Sequence, residues 1–180
     1  MAETLKGVVI NNPIQTSNLI AKTNADIIVE FFSLYLKDKD TFYSLWLQED
    51  TSKIVTPFAA AHVVERMRAE SRAAGKEGLL SSVELVYTGW DAIRKFYDPI
   101  FAREGSFEWT IDEFIVGEDP NIIVTRSKSV VDNKVPWTDG TIKHVKYKGT
   151  YIQIFTFKDG KVTSFTEYFD TAMLNKLYFG

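Results

Sequence analysis

Cysteine is absent from the 180 residues, which excludes disulfide staples, thiolate nucleophiles and thiolate metal sites. Histidine is nearly absent: His62 and His144 are the only two, so a histidine-rich metal centre cannot be built. Long apolar runs are missing as well. The N-terminal stretch MAETLKGVVINNPIQ offers a run of four, far short of a signal-peptide core or of the roughly 20 residues that span a bilayer. A cytoplasmic address without a membrane partner is the expectation. Charge of one sign is not in excess, with 21 basic against 24 acidic residues, and no basic run is interleaved with aromatics, so no nucleic-acid partner is expected. The sequence contains no GxSxG elbow, P-loop, GxGxxG before a helix, or HExxH, and the serine hydrolase, nucleotide-phosphate and zincin classes lose their support. No metal and no cofactor are expected.

What is abundant is apolar and aromatic: 45% hydrophobic and 14% aromatic residues suffice for one domain with a substantial core. Residues 1–15, with Gly7, Asn11, Asn12 and Pro13, read as an extended arm whose Val8, Val9 and Ile10 could dock on a neighbour. Thr23-x-x-Asp26 is a capping-box pattern before a broad apolar helical face of Ile27, Ile28, Phe31, Phe32, Leu34 and Tyr35. A short helix after Asp40 and a strand over 53–56 follow. Residues 59–80 read as a helical insertion, expected to flank or cover a pocket mouth. A strand from Val83 to Tyr87 precedes a second capping-box pattern, Thr88-x-x-Asp91, and a helix expected to break near Asp98 because of Pro99.

From Phe107 the period becomes that of strands: 107–116, then 121 to about 131, then the hairpin KYKGTYIQIFTFKDGKVTSFTEYFD, turning at Asp159-Gly160. Helices first and antiparallel strands last make an α+β order, with a sheet of four to six strands and three main helices. The hairpin register admits two readings. A two-residue turn sets Ile152 opposite Glu167, and a three-residue loop with a bulge sets Tyr151 there. In both, Glu167 shares a face with Phe165 and Phe169.

Glu167 is the leading candidate for chemistry, because removal from water penalises the carboxylate and raises its pKa toward the range of a neutral-pH proton carrier. The alternative is a structural glutamate paired with an arginine or pointing outward. Arg126 could orient an anionic substrate or, alternating with Lys128, occupy a solvated face. His62 could line the pocket mouth, whereas His144 in KHVK reads as exposed. Tyr35, Tyr97, Trp109 and Tyr151 are core aromatics or pocket walls, and Gln153 could hydrogen-bond a ligand or face water.

GWDAIRKFYDPIF followed by FEWTIDEFIVGEDPN, and FTFKDGKVTSFTEYFD near the C-terminus, resemble the nuclear transport factor 2-like superfamily, in particular its SnoaL-like and phenazine-biosynthesis A/B branches. The resemblance covers about 26–177 apart from 59–80, and implies a cone of helices packed into a curved antiparallel sheet, with a pocket at the open end, usually in a dimer. It also implies an acid/base role for Glu167, which matches the place of a glutamate in the last strand of the phenazine proteins. Those proteins keep a histidine where this chain has Phe96. The expected partners are a small apolar or aromatic ligand and a second copy of the chain. The function expected is isomerase, dehydratase or cyclase chemistry, or else non-catalytic ligand binding on the same fold.

Overall fold

The computed structural model describes residues 2–57, 85–136 and 140–170, together with the isolated helical positions 69 and 73. The expected insertion over 59–80 and His62 lie outside the described residues. Within them the chain runs β1 (Glu3–Leu5), β2 (Val8–Ile10), α1 (Leu19–Leu34), α2 (Lys39–Ser44), β3 (Lys53–Thr56), β4 (Leu85–Thr88), α3 (Trp90–Phe101), β5 (Glu104–Val116), β6 (Ile122–Pro136), β7 (Ile142–Lys158) and β8 (Lys161–Phe169). The strands form one curved, open sheet in the order β1-β2-β5-β6-β7-β8-β3-β4. Pairing is antiparallel except at β2/β5 and β3/β8.

The sheet has eight strands among the described residues rather than the expected four to six, and the surplus is the N-terminus. Residues 3–10 are not a free arm. They form a hairpin closed by Lys6-Gly7, both at positive φ, and β2 zips onto the edge of β5. The cause is alternation in a run too short to stand out in the sequence: Val8 and Ile10 are buried in the chain's own core while Val9 faces out.

Helix α1 begins earlier than the capping-box pattern suggests. The Asn18 side chain accepts from the backbone N–H groups of Ile20 and Ala21 at 2.9 and 3.2 Å, so Thr23 and Asp26 fall inside the helix. Helix α3 is capped by Gly89 without a side-chain hydrogen bond, and it runs through Pro99 to Phe101 instead of breaking at Asp98. Pro99 is two residues from the end, where the lost N–H and the ring clash disturb one turn only. No helix among the described residues is long and apolar enough to cross a membrane.

The concave face of the sheet grips an aromatic core centred on Phe31. Its ring packs on those of Phe42 and Phe165 at 4.6 and 5.1 Å and meets Phe155 edge-on at 5.2 Å. Alternation along β6 places Thr125, Ser127, Ser129, Val131, Asn133 and Val135 inward, with Arg126, Lys128 and Lys134 outward.

Register in the β7–β8 hairpin follows the two-residue reading at the turn and departs from both readings at Glu167. The turn is a two-residue one, with Asp159 and Gly160 both at positive φ and Phe157 opposite Val162. Thr163 then bulges out of the ladder, its hydroxyl donating to the Thr156 carbonyl at 3.1 Å, and Thr156 pairs with Ser164. The slip of one residue brings Gln153 opposite Glu167. It also lets both Val162 and Phe165, three apart, face the core.

Candidate active site

Between α1, the end of α3 and the concave face of β5, β7 and β8 lies a cavity lined by aromatic rings and a few polar groups. Phe107 and Trp109 of β5 stack on each other at 4.9 Å with planes 21° apart. Trp109 meets Tyr151 of β7 at 5.1 Å, and Tyr151 meets Phe169 of β8 at 5.3 Å. Phe96 and Ile100 of α3 close the opposite side. The polar groups are Tyr35, Arg103, Tyr147, Tyr151 and Glu167. The cavity has a volume of about 40 Å³, enough for a few waters.

Glu167 sits in the wall of this cavity with only 8% of its surface exposed. Burial pushes its carboxyl pKa up from 4.5 to about 7, and a hydrogen bond at 3.1 Å from the Thr56 hydroxyl pulls in the other direction. The shift brings the titration of the carboxyl into the neutral range. Burial also lifts the Tyr35 and Tyr97 hydroxyls well above the usual phenol value, and the charge of Glu167 adds to the effect at both. Both remain protonated, as donors and not as bases. The Tyr97 hydroxyl interacts with that of Tyr35 without reaching hydrogen-bond geometry.

A second polar feature runs along β7. Tyr147, Gly149 and Tyr151 share the inward face, and the Tyr151 hydroxyl joins that of Ser129 at 2.9 Å and that of Tyr147 at 3.0 Å. This arrangement needs Gly149. A Cβ there would lie 2.6 Å from carbons of the Tyr151 ring, so only glycine lets the tyrosine fold back along its strand.

Of the residues singled out by sequence, Glu167, Tyr35, Trp109 and Tyr151 meet at the cavity. The others do not. Tyr97 is wholly buried in the aromatic core, 4.8 Å from Phe42 and 5.0 Å from Phe96, because helical spacing points it one position inward of the lining residues. Arg126 projects from the outer face and pairs with Glu113 at 3.4 Å, the solvated-face reading. Gln153 is buried but turned to β6, where its Oε1 accepts from Thr125 at 2.9 Å and Ser127 at 2.7 Å. His144 is exposed and contacts Asp132.

Arg103, Tyr147 and Thr56 were missed. The first two had a signal: Arg103 continues the inward spacing of Ile93, Phe96 and Ile100, and Tyr147 is four residues from Tyr151 on one strand. Thr56 had none, since its contact depends on the parallel pairing of β3 with β8. Among the described residues no group of three or more metal-ligating side chains comes together.

A sequence model of the SnoaL-like domain matches residues 40–165. Comparison with curated protein sequences finds no match. Among solved structures, a phenazine biosynthesis-related protein from Pseudomonas aeruginosa superposes with a TM-score of 0.63 at 12% identity, over 92% of this chain and 86% of that one. A protein assigned as a SnoaL-like polyketide cyclase from Jannaschia gives 0.62 at 12% identity, over 91% and 97%. TerC, crystallised with polyporic acid, gives 0.53 at 19% identity, over 88% and 99%. At these identities the likeness is one of fold.

Proposed function

The chain belongs to the SnoaL-like family of the nuclear transport factor 2-like superfamily, and from that premise we propose that it is an acid/base enzyme that isomerises, dehydrates or cyclises a small, largely apolar metabolite. The observation that supports this reading is a buried carboxyl, Glu167, with a pKa near 7 in the wall of an aromatic cavity. The aromatic lining suits an apolar or aromatic ligand, in keeping with the polyporic acid with which TerC was crystallised.

Ionised Glu167 removes a proton from a carbon next to a carbonyl. The electron pair of that C–H bond moves onto the carbonyl oxygen, and the hydroxyls of Tyr35 and Tyr151 donate to the enolate so formed. The protonated carboxyl then returns the proton to a different carbon, which is isomerisation, or to a departing hydroxyl, which is dehydration. One carboxyl near neutrality serves both directions, because it is available as base and as acid at the same pH.

The test is a binding screen of planar phenols, quinones and polyketide-type carbonyl compounds by native mass spectrometry, with turnover of each binder followed by product analysis. Glu167→Gln keeps the shape and removes the titration, so it retains binding and loses on the order of 10²-fold or more in rate. Normal turnover by Glu167→Gln overturns the reading. A second reading, a non-catalytic ligand-binding module, is favoured by Phe96, an inert ring in the cavity where the resemblance to the phenazine proteins implies a histidine. Binding without turnover across the screen would support it.

We also propose that the outer face of the sheet pairs with a second copy of the chain. Ile152 and Tyr168, opposite each other on β7 and β8, and Ile115, Ile122 and Val130 are each 40% exposed or more there, apolar surface that a monomer leaves in water.

A further inference from the structure

Four polar residues form one row across neighbouring strands of the concave face. The β6–β7 register sets Thr125 opposite Gln153, and the β7–β8 register sets Gln153 opposite Glu167. In the parallel β3–β8 pair, Val55 lies opposite Thr166, the step before Thr56 and Glu167. Thr125, Gln153 and Thr56 are wholly buried and Glu167 nearly so. Hydrogen bonds close the row at both ends: Thr125, helped by Ser127, donates to Gln153 Oε1, and Thr56 donates to Glu167 Oε1.

The middle link is open. Gln153 Nε2 is buried and has no hydrogen-bond partner. Two hydroxyls on the β6 side hold the amide oxygen toward β6, which turns the NH2 group the other way, toward β8 and Glu167. A buried donor without an acceptor is unfavourable, and native interiors rarely keep one without a use. Protonated Glu167 is served by Thr56 and leaves the amide unengaged. An ionised Glu167 has a second oxygen carrying charge that needs a donor, and the amide is the neighbour across the ladder.

We propose that Gln153 is a positioning residue for Glu167: its NH2 group is the donor that the carboxylate takes up on losing its proton, completing the row Thr125–Gln153–Glu167–Thr56. This deepens, and rests on, the reading of Glu167 as the proton carrier. The row fixes the direction of the basic oxygen in the ionised state and opposes the effect of burial. The other polar groups facing Glu167 among the described residues are Tyr35 from α1, Tyr97 from α3, Arg103 beyond α3, and Tyr147 and Tyr151 from β7. Tyr35 and Tyr97 stay protonated through the neutral range, so neither titrates alongside the carboxyl.

The experiment is an NMR titration of the Glu167 side-chain carboxyl carbon in the wild-type chain and in Gln153→Met, which keeps the length and removes the donor. The titration midpoint rises by about one pH unit or more in Gln153→Met, because a hydrogen bond to the anion alone has been lost. An unchanged or lower midpoint in the folded variant overturns the proposal. Should Gln153→Met not fold, Ser127→Ala loosens the grip on the amide oxygen at little cost in volume. A smaller rise is then expected, and no rise overturns the proposal. No substrate enters this measurement, so failure of the Gln153 link leaves the Glu167→Gln turnover test untouched, and the reverse also holds.

Discussion

Replacing Glu167 with glutamine should make the protein more stable, by an amount that grows from about pH 4.5 upward and is complete above pH 7. The folded carboxyl has a pKa of about 7 against 4.5 in the unfolded chain. Below 4.5 both states hold the proton and nothing is lost. Between 4.5 and 7 the unfolded chain has released its proton while the folded chain retains it, so wild-type stability falls as pH rises, and it levels off above 7. Over that window the loss is roughly 3 kcal/mol, taking about 1.4 kcal/mol per pH unit. Glutamine keeps an oxygen to accept from Thr56 and carries no titration, so this position adds no pH dependence to the variant. Glu167→Gln should therefore melt within a degree or two of wild type at pH 4.5, and roughly 6–12 °C higher at pH 8, for a domain of this size. Thermal denaturation followed by circular dichroism in a series of matched-ionic-strength buffers reads the difference directly. A melting difference equal at pH 4.5 and pH 8 would refute the reasoning, since it would mean that the carboxyl titrates alike in both states. A gain of stability with loss of function is the pattern of a group retained for its chemistry.

Other outcomes follow from the same geometry. Gly149→Ala should drive Tyr151 off Ser129 and Tyr147 and cost about 1–3 kcal/mol by overpacking, visible in urea denaturation; a variant as stable as wild type, with the Tyr151 signals unmoved in NMR, would show that the close approach is not a constraint. Sedimentation equilibrium at micromolar concentration should give a dimer mass, reduced toward monomer by Ile152→Lys on the outer face; a wild-type monomer would contradict the pairing of sheet faces.

Much of the fold was legible because period is a local property. The hydrophobic spacing of α1 and α3, the alternation of β5 to β8 and the Asp159-Gly160 turn all lie within short windows of sequence. The site was legible to the extent that it shares those windows: Glu167 between Phe165 and Phe169 is an anomaly that needs no partner strand to be noticed. What was not legible depends on contacts between distant segments. The bulge at Thr163 shifts the hairpin by one residue and replaces Ile152 or Tyr151 with Gln153 as the neighbour of Glu167, and no local rule places a bulge there. The docking of β2 on β5 and of β3 on β8 spans about a hundred residues of chain each, so neither the burial of Val8 and Ile10 nor the Thr56 contact could be read beforehand. Tyr97 was misplaced because α3 turns one face to the cavity and an adjacent one to the core, a distinction that spacing alone does not make.

The measurement that bears most directly on the account is the titration of the wild-type Glu167 carboxyl, followed through its side-chain 13C shift and assigned by its absence in Glu167→Gln. A midpoint near 7 is expected, with the resonance moving through the neutral range where a proton carrier must work. A midpoint at or below 4.5 would mean that the site holds a stable carboxylate, and the acid/base account would fall with it.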